Sequence, residues 1–162
     1  MIIGQGPGRA ELNGARAFAG QSGRTLDNWL VSCGCSPGNP RIGIYFTSVI
    51  KCIGQEKAFE LMAGNCLHFL QSQILTIRPA LIITLGRKSY GMLRTSDDDY
   101  ELALCKPVDT KQILLVTPFD FHYSLLHWPH PSGRNRWLNS PENRTRLQQS
   151  FEHVKRFIGS AQ

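Results

Sequence analysis

Short apolar runs that recur along the chain are the feature that most restricts its fold. They occupy residues 1–3, 42–49, 80–85 and 113–117 and are rich in isoleucine, leucine and valine. Each run is apolar rather than alternating with polar residues, which is typical of strands covered on both faces. Helices pack on both sides of a parallel sheet and bury such strands. The runs therefore predict a central, mostly parallel four-stranded sheet.

Helical patterns separate the predicted strands. Apolar side chains recur at three- and four-residue steps in residues 25–32, 56–77, 88–93 and 141–157. The last segment begins with Pro141, which fits the first position of a helix, and Ser140 before it can cap that helix. Strands that alternate with helices predict an α/β fold. We expect a single α/β/α sandwich domain over residues 1–162, because no linker or repeat divides the chain.

The chain carries an excess of positive charge. It has 18 Lys and Arg residues against 12 Asp and Glu, which gives a formal net charge of +6 and a pI of about 9.3. Such an excess favours a polyanionic partner, and nucleic acid is the usual one. A basic enzyme without a polyanionic partner is the alternative that charge alone leaves open.

Composition also predicts where the protein works. No apolar run approaches the roughly 18 residues of a membrane span, and the chain opens on a strand pattern rather than a signal peptide. Five cysteines, an odd number, are typical of reduced intracellular thiols rather than of a disulfide framework. We therefore expect a cytoplasmic monomer that does not associate with a membrane.

Several common chemistries lack their motifs. Gly4-Gln5-Gly6 begins like a dinucleotide-binding loop, but Arg9 occupies the place of the third glycine, and no Gly-Lys-Ser/Thr phosphate loop is present. The cysteines at 33 and 35 have no second pair at zinc-finger spacing. No Gly-x-Ser-x-Gly elbow presents a nucleophile. Nucleotide cofactors, zinc and serine-hydrolase chemistry are therefore disfavoured.

Three features remain to be explained together: the glycine-rich loop at 4–8, Phe18, and the segment at 130–136 after the last predicted strand. We interpret residues 119–139 as an aperiodic loop whose mixed aromatic and basic side chains are typical of nucleic-acid contacts. The aromatic and basic residues of this segment are His122, Tyr123, His127, Trp128, His130, Arg134, Arg136 and Trp137. A base-excision enzyme needs such parts, because it flips a nucleotide from the duplex, stacks the base and stabilises charge on it as it departs.

Short motifs also follow one another in a characteristic order. They are Gly4-Gln5-Gly6-Pro7-Gly8, Glu11, Ala17-Phe18-Ala19-Gly20 with Gly23, Thr47 to Cys52, Cys66, Leu85-Gly86 and His130-Pro131-Ser132. Each is weak alone, but their joint order is specific and covers nearly the whole chain. This order resembles that of the uracil-DNA glycosylases, most of all the iron–sulfur, family 4 enzymes. The Gly-Arg-Asn after Ser132 is similar to the single-strand-selective uracil glycosylases.

The resemblance implies hydrolysis of the N-glycosidic bond of uracil, or of another deaminated base, flipped out of single- or double-stranded DNA. Phe18 would stack on the base, and His130 would stabilise charge on the leaving base. Gln5 and Glu11 are the other candidate catalytic residues.

The resemblance also implies two sets of binding residues. Those of the base pocket are Gly6, Pro7, Gly8, Phe18 and Ser48. Those that contact DNA are Lys51, Ser132, Gly133, Arg134, Asn135 and Arg136, and through DNA the protein would associate with the nucleoid.

Two residues differ from the family 4 pattern. Gln5 stands where the family has Glu, and an amide can hold a water but cannot accept its proton. Ser48 stands where the family has the Asn that reads uracil. These differences leave open a second hypothesis, a superfamily member that binds DNA or damaged bases with little or no turnover. A third, an enzyme of free nucleosides, leaves the arginine-bearing loop after His130 unexplained.

The family's iron–sulfur cluster is matched only in part. Cys52 and Cys66 correspond to two of its four ligands, and in the family the other pair lies upstream of the first strand. We therefore predict no metal and no cofactor. A [4Fe–4S] cluster would require an upstream cysteine pair on a longer natural N-terminus.

Overall fold

The computed structural model describes residues 1–14, 16–53, 58–94, 99–110 and 121–160. Its sheet has five strands in the order β2-β1-β3-β5-β4. The strands are β1 (Ile2–Gly4), β2 (Phe46–Ser48), β3 (Leu81–Leu85), β4 (Val108–Thr110) and β5 (Tyr123–Trp128). β2, β1, β3 and β5 are parallel, and β4 pairs with β5 in the antiparallel direction. The prediction of an α/β fold around a mostly parallel sheet is confirmed, although the described residues form five strands rather than the four predicted, because the antiparallel β4 adds an edge strand.

Helices cover both faces of this sheet. They are α1 (Arg9–Asn13), α2 (Gln21–Ser32), α3 (Phe59–Ile77), α4 (Arg87–Leu93), α5 (Tyr100–Ala103) and α6 (Pro141–Ser160). α2 and α6 pack on one face, whereas α3 and the end of α4 pack on the other, which makes the three layers of an α/β/α sandwich. Within the described ranges, none of the helices combines the length and apolarity needed to cross a membrane.

Side chains of the buried strands alternate between the two faces. In β5, Leu125 packs on the α3 side, and Leu126 and Trp128 pack on the side of α2 and α6. Every residue of β3 and β5 is buried. Both faces of these strands are therefore covered, which explains why β3 is apolar in sequence apart from Thr84.

The interpretation of residues 119–139 as an aperiodic loop is wrong for Tyr123–Trp128, which form β5. His127 and Trp128 are buried core residues of this strand. His127 Nδ1 lies 2.6 Å from Thr84 Oγ1, and Trp128 Nε1 donates to Ser150 Oγ at 2.9 Å. Polar atoms with such partners are accommodated in a core. Because His127 and Trp128 carry polar atoms, this strand does not stand out as an apolar run in the sequence.

Other predicted boundaries shift. The predicted strand at 113–117 lies outside the described residues. Of residues 42–49, only Phe46–Ser48 form a strand, because Ile42 is exposed and Gly43 turns the chain at a φ of 72°. α2 begins at Gln21 rather than at residue 25, since Gly20 takes the N-cap position.

Burial of His127 predicts a loss of stability in acid. Burial lowers the pKa of this imidazole to about 4, whereas in the unfolded chain it binds a proton near 6.5. Between these values the unfolded state binds the extra proton, so the free energy of unfolding falls as pH falls, by up to about 1.4 kcal/mol per pH unit. Urea titrations from pH 7.5 to 5 measure this slope.

His127→Gln is expected to flatten that slope, whereas His68→Gln, on the exposed face of α3, is expected to retain it. Equal slopes in the two variants would contradict the assignment to His127.

Candidate functional site

The carboxyl ends of the parallel strands meet at one edge of the sheet, where open α/β sheets bind ligands. β1 ends at Gly4, β2 at Ser48 and β3 at Leu85, and His130 follows shortly after β5. The predicted glycine loop, Ser48 and His130 are therefore brought to the same edge from distant parts of the chain.

The glycine loop continues the pairing of β1 with β2 beyond the ends of the strands. Val49 N donates to Gly4 O at 2.9 Å, and Ile50 N donates to Gln5 O at 3.0 Å. Gly6 then passes so close to Ile50 that a Cβ on it would lie 2.3 Å from Ile50 Cγ1. Only bare backbone fits there, and this backbone forms a wall of the site.

Phe18 has a backbone conformation that aromatic residues rarely adopt. Its φ of 53° lies in the left-handed region, which costs a non-glycine residue about 1–2 kcal/mol. Its ring packs on Gly4, where a Cβ would lie 2.6 Å from Cζ, and it meets Phe46 edge-on with ring centroids 6.0 Å apart. Surrounding contacts must therefore hold Phe18 in place.

Arg41 supplies those contacts. Its guanidinium donates to Ala17 O at 2.6 Å and to Phe18 O at 3.0 Å. Asp27 fixes the guanidinium, accepting from Nε at 2.6 Å and from Nη2 at 3.2 Å. Paired contacts between arginine and carboxylate are strong and directional. Arg41 and Asp27 are therefore positioning residues for the Phe18 ring.

Glu11 ties the glycine loop to the Phe18 segment. Its Oε2 accepts from Gly8 N, and its Oε1 accepts from Ala19 N, both at 2.8 Å. Each carboxylate oxygen is thus bound to an amide of a different loop. The arrangement fixes a negative charge at the site, and the catalytic role of Glu11 remains a prediction.

A cleft of about 460 Å³ opens between the glycine loop, Phe18 and the end of β2. The residues that matter most for its chemistry are Gly6, Pro7, Glu11, Phe18, Ser48 and Lys51. Its volume is in the range of small-molecule sites. It combines an aromatic ring with a carboxylate, a hydroxyl and an ammonium group, a set that can stack a flat ring and bind its polar edge.

Lys51 is half-buried in this cleft. Its Nζ donates to Thr47 Oγ1 and Gln73 Oε1 at 2.8 Å each, and to Ser48 O. Burial lowers the pKa of the amine to about 8. Three acceptors therefore hold the amine inside the cleft. Its contact with DNA remains a prediction.

His130 lies beside Gly86, at the end of β3. Gly86 has a φ of 86°, and a Cβ on it would lie 3.1 Å from His130 Cβ. His130 lines a second cleft, of about 360 Å³, together with Arg134 and Trp137. Phe18 and His130 thus line different clefts, and the strands that precede both clefts end at one edge of the sheet. Burial lowers the pKa of His130, which favours neutral imidazole at pH 7.

The loop after His130 is a compact turn. Asn135 N donates to Ser132 O, and Asn135 Nδ2 donates to His130 O, both at 2.9 Å. Arg134 N donates to Ser132 Oγ at 3.2 Å. The exposed members of the loop are Gly133, Arg134 and Arg136. The turn therefore projects basic side chains into solvent next to His130.

The described residues do not fit an iron–sulfur cluster, which takes four thiolates. Cys52 is exposed and Cys66 is buried. Across the part of the chain that the structure describes, no group of three or more His, Cys, Asp or Glu is placed to hold a metal ion. Burial raises the pKa of Cys33 to about 12, which keeps this thiol protonated.

The sequence does not predict the residues that position the cleft, which are Asp27, Arg41 and Gln73. Arg41 acts on backbone carbonyls far from it in sequence, and Gln73 reaches Lys51 from α3. No short motif with fixed spacing marks such contacts.

A mostly parallel α/β sandwich with a cleft at the carboxyl ends of its strands defines a ligand-binding protein of the α/β class. Residues 1–155 match the family described as the uracil DNA glycosylase superfamily. The chain therefore belongs to the uracil DNA glycosylase superfamily, and the resemblance found in its motifs is confirmed.

Relatives that carry the name Type-4 uracil-DNA glycosylase include proteins of Thermotoga maritima, Saccharolobus solfataricus and Pyrobaculum aerophilum. That of Thermotoga maritima is 30% identical over 98% of this chain and 77% of its own length. That of Saccharolobus solfataricus is 29% identical over 99% of this chain and 71% of its own length. That of Pyrobaculum aerophilum is 33% identical over 53% of this chain and 43% of its own length.

Gly23→Ala is expected to displace Phe18. A Cβ at position 23 would lie 1.7 Å from Phe18 O, so the loop has to move and the contacts of Arg41 with it are lost. We expect a loss of about 1–3 kcal/mol in the free energy of unfolding, measured with urea.

The matched control is Gly64→Ala in α3, where an added Cβ meets nothing within 4 Å. It should stabilise the helix by about 0.5–1 kcal/mol. Equal stabilisation by both substitutions would contradict the close approach at Gly23.

Proposed function

We propose that this protein is a DNA-repair N-glycosylase. It hydrolyses the bond between deoxyribose and uracil, or another deaminated base, after the base has been flipped out of DNA. The observation that carries the proposal is the constrained ring of Phe18 in a cleft with Ser48 and Glu11, at the sheet edge that also holds His130. Membership of the superfamily and relatives named as uracil-DNA glycosylases support it.

Phe18 supplies the aromatic face on which the flipped base stacks. Such stacking is worth about 1–3 kcal/mol per base, which offsets part of the few kcal/mol needed to unstack a nucleotide. Arg41 and Asp27 already hold the backbone of Phe18. Little of the binding energy is therefore spent on ordering the ring.

His130 and Glu11 act on charge as the glycosidic bond breaks. The electron pair of the bond leaves with the base, so negative charge develops on the base and positive charge on the sugar. Neutral imidazole donates a hydrogen bond to the base oxygen, and the lowered pKa of His130 favours that form. The carboxylate of Glu11 supplies negative charge opposite the sugar.

Water completes the reaction by adding to C1′ of the sugar. Gln5 holds that water by hydrogen bonds, and the proton of the water passes to solvent because an amide does not accept it. The reaction therefore proceeds without a side-chain general base at position 5.

The same proposal includes a DNA contact outside the clefts. Arg134 and Arg136 are exposed on the loop after His130, and phosphate contacts from such side chains make binding salt-dependent. The net charge of +6 supports it. We also propose that the protein acts on DNA as a cytoplasmic monomer.

Binding without turnover is the second candidate function. It rests on Gln5 and Ser48 alone, and the comparisons give it no support, because the relatives carry the name of an enzyme.

Excision of uracil from oligonucleotides tests the proposal. Wild-type protein should leave alkali-labile abasic sites in single- or double-stranded DNA. Phe18→Ala should slow single-turnover excision about 10- to 100-fold through lost stacking. His130→Ala should slow it about 100-fold or more, because a donor to the developing anion is lost.

Phe69→Ala is the matched control, since Phe69 is 52% exposed on α3, and its rate should be unchanged. No abasic product from uracil, hypoxanthine or xanthine at high enzyme concentration would refute the enzymatic function. Retained binding to uracil-containing DNA would then favour the second candidate.

Gln5→Glu is expected to accelerate excision. A carboxylate at position 5 can both hold the water and accept its proton, and general base catalysis typically contributes about 100-fold or more. We expect at least a tenfold gain in the single-turnover rate at pH 7.5. Gln148→Glu, which places the same charge on the exposed face of α6, should leave the rate unchanged. An unchanged or lower rate for Gln5→Glu would contradict the role of position 5.

A further inference from the structure

Ser48 offers a ligand in the cleft only an acceptor. Its Oγ donates its single proton to Ile50 O at 2.7 Å, and its lone pairs remain available. The resemblance implies an asparagine at this position in family 4 enzymes, and an asparagine amide would offer a donor and an acceptor side by side. Ser48 therefore supplies the hydrogen-bond acceptor of the amide but not its donor. The donor must come from another residue.

Lys51 is the donor that lies next to Ser48. Its Nζ donates to the backbone carbonyl of Ser48 itself, and both side chains line the same cleft. Its other acceptors are Thr47 Oγ1 and Gln73 Oε1. An amine that donates to three oxygen atoms is an ammonium, which has donors and no acceptor.

We propose that Ser48 Oγ and Lys51 Nζ together replace the amide and read one edge of the flipped base. Ser48 accepts from the ring N–H, and Lys51 donates to the carbonyl oxygen beside it. This reading rests on the proposed glycosylase function and names its substrate class: bases with an N–H next to a C=O. Uracil, hypoxanthine and xanthine have that edge, and so do thymine and guanine, so the pair discriminates only against cytosine and adenine. Cytosine and adenine present the reverse pattern, a ring acceptor next to an amino donor.

Lys51 can donate a hydrogen bond to the base without leaving a polar group of the site unpaired. Thr47 Oγ1 donates to Gln73 Oε1 at 2.8 Å, independently of Lys51. When the base oxygen takes one proton of the ammonium, Thr47 and Gln73 still bind each other. A buried group stripped of its partner would cost about 1–3 kcal/mol, and this pairing avoids that cost.

The other cation of the cleft is placed differently. Arg16 lines the cleft but is exposed, whereas Lys51 is half-buried and restrained by three acceptors. A restrained donor fits the reading of a base edge, and an exposed one fits contact with a phosphate.

A double-mutant cycle tests the pair. The proteins are wild type, Lys51→Met, Ser48→Asn and the double variant, with Lys155→Met on the exposed face of α6 as the control for lost charge. Lys51→Met should lower kcat/KM for uracil about 10- to 100-fold, the loss expected for one charge-assisted hydrogen bond. In the Ser48→Asn background it should cost less than threefold, because the amide supplies its own donor. Equal losses in the two backgrounds would overturn the proposal.

A binding measurement separates base reading from phosphate contact and does not depend on turnover. Two oligonucleotides are compared, one with 2′-fluoro-2′-deoxyuridine, which resists cleavage, and one with a tetrahydrofuran abasic analogue. Lys51→Met should weaken binding of the first about tenfold or more and leave the second unchanged. Equal weakening of both would show a phosphate or structural role instead and overturn the proposal.

The same measurement distinguishes the two proposals. If wild-type protein excises no base but Lys51→Met selectively weakens the uracil analogue, the glycosylase function fails and the reading of the base stands. If excision occurs but neither the cycle nor the binding depends on Lys51, the glycosylase function stands and this inference fails. Far-ultraviolet circular dichroism and urea unfolding confirm that each variant is folded before it is compared.

Discussion

The site depends on the parallel pairing of β1 with both of its neighbours. Ile2 of β1 lies opposite Phe46 of β2 on one side and Ile83 of β3 on the other. The ladder runs on past β1, where the carbonyls of Gly4 and Gln5 accept hydrogen bonds from the segment after β2. This register decides which loops emerge side by side. It sets the glycine loop against Ser48, whereas the pairing of β3 with β5 brings the end of β3 to His130.

The fold could be predicted from the sequence wherever burial and apolar character coincide. β1 and β3 are buried and mainly apolar, and the sequence predicts both strands. β5 is equally buried but contains His127 and Trp128, whose polar atoms are matched by Thr84 and Ser150. Those partners lie far away in sequence. The local sequence pattern therefore contains polar residues without their partners, and such a pattern indicates a loop.

The residues of the site likewise fall into those that the sequence predicts and those that it does not. Residues that belong to motifs, such as Phe18 and His130, could be proposed as candidates because their order along the chain is characteristic. Arg41 and Gln73 could not, since each acts across the fold on another element: Arg41 on backbone carbonyls, Gln73 on Lys51. The candidate residues could therefore be named from the sequence, and their functional roles stay predictions, whereas the contacts that position them required the tertiary structure.

Arg41 also determines how the Phe18 loop can move. Beyond its bonds to this loop and to Asp27 in α2, its guanidinium lies over the Phe46 ring of β2, 5.2 Å from the centroid. Local opening of the loop would break contacts with a helix and a strand at once. Binding loops usually open at low free energy, but this one is coupled to the sandwich itself. A ligand that enters the cleft therefore meets a surface whose shape is already set.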